Sequence, residues 1–258
     1  MDTAATGSQH PPMDHFTLAL IAFVFLAAGA VKGVSGMGLP TFSMALLGLF
    51  MPTATAATLM LIPSLLTNIA QCVGPHGRTL ARRLWPMWLM LALATVWSPL
   101  PDLGSAGSGA RATLGVVLVA YGLWGLARPA LPSPGRLALP AGGVAGLFSG
   151  LLTAATGVFV MPMVPYLQSL RLEKDVLIQA LGLSFLVATL ALAARLGPLA
   201  VLSGAAVPLT GHAIALVAAF AGLWIGATLR NRLPLPVFQR ALYSVFLALG
   251  SLMLARAF

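Results

Sequence analysis

The stretch GAVKGVSGMGLP, from Gly29 to Pro40, interrupts an otherwise apolar sequence, and a second interruption, GLFSGLLTAATGVFVMP, runs from Gly146 to Pro162. Glycine and proline break helices, and a broken helix in lipid leaves backbone amide and carbonyl groups without partners. Such breaks persist where protein or a polar cavity satisfies those groups. When they recur in both halves of a chain, the usual cause is a transport site between the halves. The two interruptions therefore predict a membrane transporter.

A glycine pattern connects the two interruptions. Gly29 and Gly33 align with Gly146 and Gly150 at one offset of 117 residues. Both pairs have the GxxxG spacing that also serves close helix packing, so packing is the alternative to a functional role for each glycine taken alone. The recurrence beside the breaks favours a functional role for the set, because packing does not require a broken helix.

The composition is that of a polytopic membrane protein. Of the 258 residues, 59% are hydrophobic and 7% are charged, and the mean hydropathy is +0.96. A charged share of about 25% is usual in soluble domains. The net charge of +9 would suggest a nucleic-acid partner in a soluble protein. Here the arginines lie mainly between apolar runs, which indicates membrane topology and a lipid bilayer as the partner, with no nucleic acid.

Ten apolar segments follow one another along the chain. Their approximate limits are 15–33, 38–51, 54–73, 84–101, 111–127, 138–153, 157–170, 176–194, 208–229 and 237–255. Five segments in each half give the second half the opposite orientation, which is an inverted-topology repeat. We therefore predict an all-α integral membrane protein divided into a polar tail (1–15), a first repeat (16–127), a linker (128–137) and a second repeat (138–258).

Two of these segments are short. Segments 38–51 and 157–170 have 14 residues each, whereas a perpendicular span needs about 20. They are predicted to be half-helices or parts of re-entrant hairpins, so the number of transmembrane helices is eight to ten.

Basic residues give the orientation. The loops after the odd-numbered segments contain Arg78, Arg82, Arg83, Arg128, Arg136, Arg171, Lys174, Arg230 and Arg232. Arg195 is the main exception, and the N-terminal tail has two aspartates and no lysine or arginine. By the positive-inside rule the odd-numbered loops are cytoplasmic and both termini face outward, in a multi-pass protein of the cell (inner or plasma) membrane.

Longer runs carry a resemblance to a known family. The first interruption is followed by ATLMLIPSLLTNIAQ, from Ala57 to Gln71, and the second half has GLLTAATGVFVMPMVPYLQ from Gly150 to Gln168 and QALGLSF from Gln179 to Phe185. These runs resemble the sulfite exporter TauE/SafE family, also called the toluene sulfonate uptake family, over nearly the whole chain. The resemblance implies a plasma-membrane carrier for organosulfur compounds, sulfur oxyanions or related small anions.

The distribution of charge narrows the chemistry. None of the five acidic residues lies centrally in an apolar segment, whereas carriers of cations and protons usually place a carboxylate there. Lys32 adjoins the first break, and a buried lysine needs an anionic partner, so we expect it to bind a small anionic substrate. The alternative is that Lys32 extends to the cytoplasmic headgroups.

Backbone amides and hydroxyl groups at the breaks are further candidates for anion binding. Exposed amides at the start of a half-helix hold an anionic oxygen without a side-chain charge. The candidates are Gly33, Ser35, Gly36, Gly38, Thr153, Thr156 and Gly157. The alternatives are close packing for the glycines and local helix capping for the hydroxyl groups.

Asn68 and Gln71 lie three residues apart and share one face of an apolar helix,. Two amides on one face either line the substrate pathway or hydrogen-bond a neighbouring helix as structural contacts. The histidines and methionines have no metal-ligand spacing. We therefore expect no metal and no cofactor; a homo-oligomer is possible.

An enzyme is the alternative class of function. Gly33-Val34-Ser35-Gly36 matches the GxSG motif of intramembrane serine proteases, and His212 in a later segment would complete a Ser–His dyad,. Short motifs of small residues recur by chance in membrane proteins, and an inverted repeat has no role in that mechanism. The sequence therefore favours a transporter and not an enzyme.

Overall fold

The computed structural model describes residues 14–100, 103, 108–127, 131–197, 207–230 and 232–257, and these form ten α-helices with no strand among them. The helices are α1 (His15–Ser35), α2 (Leu39–Leu47), α3 (Thr53–Cys72), α4 (Gly77–Val96), α5 (Ser108–Ala127), α6 (Ala138–Thr156), α7 (Met163–Ser169), α8 (Lys174–Leu196), α9 (Leu209–Leu229) and α10 (Leu235–Ala255). A short 3-10 turn, Gly135–Leu137, precedes α6. Most of the predicted N-terminal tail, Asp102 and Arg128 lie outside the described residues.

The all-α membrane architecture predicted from the sequence is confirmed. Among the described residues, seven helices are long and apolar enough to cross a membrane: α1, α3, α5, α6, α8, α9 and α10. Helix α4 also has 20 residues, but three arginines lie in its first two turns. Large apolar side chains cover the outside of the bundle, as Phe23 (65% exposed), Val217 (70%) and Trp224 (71%) illustrate. That surface suits contact with lipid.

Both predicted breaks are present, and each is followed by a short helix. Helix α1 ends at Gly36 (φ 77°) and α6 ends at Gly157 (φ 70°), and such left-handed conformations favour glycine,. The amide of Gly36 donates to the carbonyl of Lys32 at 2.7 Å, and that of Gly157 donates to the carbonyl of Thr153 at 2.8 Å. The short helices, α2 with nine residues and α7 with seven, correspond to the two short segments of the sequence.

The cap geometry changes the alignment of the halves. Ser35 and Thr156 each precede the capping glycine, and their hydroxyl oxygens accept the amides of Met37 and Val158 at 3.3 and 3.1 Å. Gly36 and Gly157 are 121 residues apart, four more than the offset of the glycine pairs. Four residues are about one helical turn. Aligning the two halves by their breaks thus gives an offset of 121 residues, whereas aligning them by the GxxxG motifs gives 117. The two alignments differ by one helical turn.

Helix pairing crosses the boundary between the halves. Helix α1 packs along α9, and α6 packs along α4, while α3 pairs with α8 and α5 with α10. If the first five helices are matched in order with the last five, α1 corresponds to α6 and α4 corresponds to α9. The α1–α9 pair then corresponds to the α6–α4 pair. This arrangement is consistent with two inverted repeats.

The GxxxG glycines make these close pairs possible. A Cβ on Gly29 or Gly33 would overlap the main chain of α9 at Ala219 and Leu223. In the second half, Gly146 and Gly150 take the same role against the main chain of α4. The duplicated glycines therefore serve close helix packing, and a role of Gly33 in anion binding stays a prediction.

The exception to the charge pattern, Arg195, has a structural role. Its guanidinium group donates to the carbonyl oxygens of Thr95, Val96, Ser98 and Leu100 at 2.9 to 3.4 Å. These carbonyls belong to the last turn of α4 and the segment after it, and such groups lack partners within a helix. Arg195 thus caps α4 from α8. The cytoplasmic position of the other basic loops, and the outward termini, stay predictions.

Candidate functional site

Lys32 is buried at the end of α1 and contacts α3. Its side chain is 2% exposed, and its Nζ donates to Thr67 Oγ1 at 3.0 Å and to Asn68 Oδ1. A lysine that extended to the headgroups would expose its ammonium group, so the snorkelling alternative does not describe this structure. The charge instead lies inside the bundle.

The local structure of α3 prepares Thr67 to accept a hydrogen bond from Lys32. Pro63 lies within α3 and has no amide to donate,. The Thr67 hydroxyl group donates to the carbonyl oxygen of Pro63 at 2.7 Å. Because its hydrogen is used in that bond, the hydroxyl oxygen of Thr67 is left to accept from the ammonium group of Lys32.

Asn68 connects Lys32 to the second half of the chain. Its side chain is fully buried, its Oδ1 accepts from Lys32, and its Nδ2 donates to Thr189 Oγ1 of α8 at 3.3 Å. Three helices therefore meet in one polar group of side chains, Lys32, Thr67, Asn68 and Thr189, which we call the Lys32 cluster. Both halves contribute to it.

The Lys32 cluster has spare hydrogen-bond donors and no acid. An ammonium group has three N–H donors and a side-chain amide has two. Within the described part of the chain, Lys32 uses two of its donors and Asn68 uses one. The acids in that part, Asp14, Glu173 and Asp175, are all exposed. Each of the two groups thus keeps a donor for a ligand, and Lys32, the ionisable member of the cluster, is a base.

Gln71 lies one turn beyond Asn68 on α3 and stabilises the first break. Its Nε2 donates to the carbonyl oxygen of Gly36 at 2.8 Å and to that of Ile178, in α8, at 3.1 Å. The carbonyl of Gly36 is one of the groups that the break in α1 leaves without a helical partner. The Oε1 of Gln71 is buried and has no partner among the described residues.

A cavity of about 350 Å³ lies beside Gln71 at the arginine-rich end of α4. It is lined by Gln71, Val73, Gly74, Pro75, His76, Asp175, Ile178 and Gln179. Gln179 donates to the carbonyl oxygens of Cys72 and Gly74 at 2.9 Å, and it accepts the amide of His76 at 3.1 Å. Gln179 therefore fixes the α3–α4 loop, which forms one wall of this cavity.

The start of α2 lies next to the Lys32 turn of α1. Gly38 is its N-cap with φ 104°, and no side chain caps this end. A Cβ on Gly38 would lie 2.9 Å from Val31, the neighbour of Lys32. In the first turn, the Thr41 hydroxyl group is fully buried and has no partner within the described ranges. A helix start with free amides favours an anion.

The candidates of the second break bond within their own segment. Thr153 donates to the carbonyl of Ser149 and Thr156 donates to that of Leu152, both at 2.6 Å. These contacts are the local capping that was the alternative to anion binding. Gly157 lies against Met44 of α2. No hydrogen bond between described residues joins Thr153, Thr156 or Gly157 to the Lys32 cluster.

Two members of the Lys32 cluster, Thr67 and Thr189, were not singled out from the sequence. Thr189 follows Asn68 by 121 residues, the separation of the two capping glycines. The offset of 117 taken from the GxxxG motifs would instead pair Asn68 with Phe185, which has no polar group. Alignment of the two halves by the glycines that end α1 and α6, at an offset of 121 residues, would have identified Thr189.

A Ser–His dyad is not formed. The Ser35 hydroxyl group donates to the carbonyl of Val31 at 2.7 Å, and neither ring nitrogen of His212 has a partner among the described residues. Gly33, two residues from Ser35, packs against Ala227. His212 precedes Ala227 by 15 residues in the same helix, which is roughly 22 Å along its axis. Ser35 and His212 therefore lie too far apart to form a hydrogen bond.

Comparisons with known proteins agree with the resemblance seen in the sequence. The family model described as Sulfite exporter TauE/SafE matches residues 21–253, nearly the whole chain. This match confirms the resemblance. No curated protein and no solved structure matches the chain.

Proposed function

The chain belongs to the sulfite exporter TauE/SafE family of membrane transporters, and we propose that it carries a small anion of the sulfite or sulfonate class across the cell membrane. Transport is by alternating access, driven by a gradient or by the flux of the substrate itself. The Lys32 cluster is the anion site, with Gln71 and the start of α2 beside it.

The single observation that carries this proposal is the burial of Lys32 among neutral partners. Moving an ion from water into a protein interior costs several kcal/mol, and removal of a buried partner leaves an uncompensated charge. Thr67 and Asn68 supply dipoles but no negative charge. A bound anion would neutralise the ammonium group and take up the spare donors of Lys32 and Asn68.

The charge of the cluster suits a substrate with one negative charge. Lys32 is the only lysine or arginine among the buried polar side chains of the described residues. A sulfonate or hydrogensulfite anion would bring the net charge of the occupied site to zero. A dianion such as sulfate would leave one negative charge buried and without a partner, which is unfavourable in a medium of low dielectric constant.

The helix pairs limit which parts of the protein move against each other. The α1–α9 and α4–α6 pairs each join a helix of the first half to a helix of the second through close main-chain contacts. These contacts argue against separation of the two sequence halves as rigid bodies. We propose that the moving units are these cross-half pairs, which shift relative to each other.

The test is uptake of radiolabelled methanesulfonate and sulfite into proteoliposomes by the wild type, Lys32→Gln and Lys174→Gln. Lys174 is the other lysine of the chain and is exposed, so Lys174→Gln is a matched control. We expect saturable uptake by the wild type and by Lys174→Gln, and loss of uptake in Lys32→Gln. Uptake by Lys32→Gln with an unchanged KM would exclude the Lys32 cluster as the site.

A further inference from the structure

We propose that Thr189 is a positioning residue of the anion site, which orients Asn68 so that one amide hydrogen is directed to Thr189 and the other is left for the substrate. This inference rests on the proposed function of the Lys32 cluster. Thr189 belongs to the second half of the chain, so the completed site contains groups from both halves.

The hydrogen bonds of Thr189 and Lys32 together determine which way the Asn68 amide is oriented. The Thr189 hydroxyl group donates to the carbonyl oxygen of Phe185 at 2.7 Å. Its hydrogen is therefore used, and its oxygen can only accept from Asn68. The amide must then present Nδ2 to Thr189 and Oδ1 to Lys32, which is the orientation observed. The reverse orientation would place two donors against each other at Lys32 and two acceptors at Thr189.

The positions of Asn68 and Thr189 place them at the centre of the bundle. Residues that a twofold axis exchanges lie at equal distances from it, so two such residues in contact are both close to the axis. Asn68 and Thr189 have the 121-residue separation of the capping glycines and form a hydrogen bond. In transporters with inverted repeats the axis lies in the membrane plane, and substrate sites lie near the bilayer midplane.

A purely structural role for Thr189 makes different predictions. If the Asn68–Thr189 bond only joined α3 to α8, its loss would lower thermal stability and leave the KM of the remaining folded protein unchanged. If Thr189 orients Asn68, its loss removes one of the two contacts that fix the amide, and the donor that serves the anion is held less firmly. Anion affinity then falls, while the later steps of transport change little.

The experiment measures KM and kcat for radiolabelled methanesulfonate and sulfite in proteoliposomes with Thr189→Val and Thr189→Ser. Thr189→Val keeps the shape and removes the hydroxyl group, whereas Thr189→Ser keeps it. The control is Thr228→Val, because Thr228 is exposed on α9 and also bonds a carbonyl of its own helix, that of Ile225. We expect Thr189→Val to raise KM about tenfold, the effect of losing one hydrogen bond near a charged group, with kcat nearly unchanged. Thr189→Ser and Thr228→Val should resemble the wild type.

A second measurement shows whether Thr189 acts through Asn68. In an Asn68→Ala background, addition of Thr189→Val should raise KM no further, because the amide that Thr189 orients is absent. If Thr189→Val does not fold, Thr189→Ala takes its place, alone and in the Asn68→Ala background. Additive effects on KM would overturn the positioning role.

The outcomes separate this inference from the proposed function. An unchanged KM in Thr189→Val together with loss of uptake in Lys32→Gln would overturn the role of Thr189 and leave the anion site standing. Equal increases of KM in Thr189→Val and Thr189→Ser would also overturn it, because the hydroxyl group would then not be the cause. Lack of uptake of both anions by the wild type would overturn the proposed function, and this inference with it.

Discussion

Gln71 donates a hydrogen bond of 2.8 Å to the carbonyl oxygen of Gly36, the residue at which α1 ends. A second bond of the same Nε2 reaches Ile178 of α8. One side chain therefore supplies the partner that the broken helix lacks and joins the break to the second half of the chain. The cavity at the arginine-rich end of α4 begins at the same residue.

Replacement of Gln71 by leucine should destabilise the protein. Leucine cannot donate to the carbonyls of Gly36 and Ile178, and a buried group that loses its partner costs about 1–3 kcal/mol. We expect a lower midpoint of thermal unfolding in detergent for Gln71→Leu. An unchanged midpoint would show that water replaces both bonds.

The charge of Lys32 should determine which anions compete for uptake. Because the Lys32 cluster contains one buried positive charge, methanesulfonate should inhibit uptake of radiolabelled sulfite more strongly than sulfate does at equal concentration. Lys32→Arg should take up less radiolabelled sulfite than the wild type. A guanidinium group is larger and planar and does not fit a site shaped for an ammonium group. Stronger inhibition by sulfate would contradict the assignment of a singly charged substrate.

Gly33→Ala should disrupt the α1–α9 contact. The added Cβ would overlap the main chain of α9, which cannot yield as a flexible side chain does. Overpacking of this kind costs typically 1–3 kcal/mol. We expect a lower yield of folded protein and a lower unfolding temperature. Gly109→Ala is the control, because nothing lies within 4 Å of a Cβ at that position, and its unfolding temperature should match or exceed that of the wild type.

Spin labels should reveal which helices move together. Phe23 of α1, Trp85 of α4 and Val217 of α9 are all exposed, and the only cysteine, Cys72, is removed by Cys72→Ser. On addition of methanesulfonate, the distance between labels at 23 and 217 should stay constant, and that between 23 and 85 should shift. A shift within the α1–α9 pair alone would disprove the cross-half units.

Loss of Arg195 should destabilise the end of α4. The guanidinium group donates to four carbonyl oxygens there. A hydrogen bond from a charged donor contributes about 1.5–3 kcal/mol to stability. We expect Arg195→Met to unfold at a lower temperature than the wild type. Arg195→Lys should restore only part of the difference, because an ammonium group does not reproduce the planar fork.

The positions of the helices and breaks were predictable because their causes are local. Glycine and proline act on the backbone of their own segment, so the ends of α1 and α6 fall where the sequence places the interruptions. The GxxxG motifs can also be read from the sequence, but the helices against which they pack cannot. The structure adds that these glycines pack against α9 and α4, and these partners lie far away in the chain.

The candidate site was predictable only in part. Lys32, Asn68 and Gln71 were identified because polar residues stand out in apolar helices. Thr153 and Thr156 were identified on the same grounds, yet their hydroxyl groups bond their own helix. A single threonine in an apolar segment gives no indication of whether it faces a neighbour or caps its own backbone.

The sequence by itself determined the membrane class, the ten segments, the two breaks and the alternation of basic loops, because hydropathy, helix breaking and charge act residue by residue. Only the tertiary structure decided that Lys32 meets Thr67 and Asn68, that Thr189 completes the group, and that α1 packs on α9. These contacts join residues tens to almost two hundred positions apart. They depend on the register and crossing of whole helices, which the pattern within one helix does not specify.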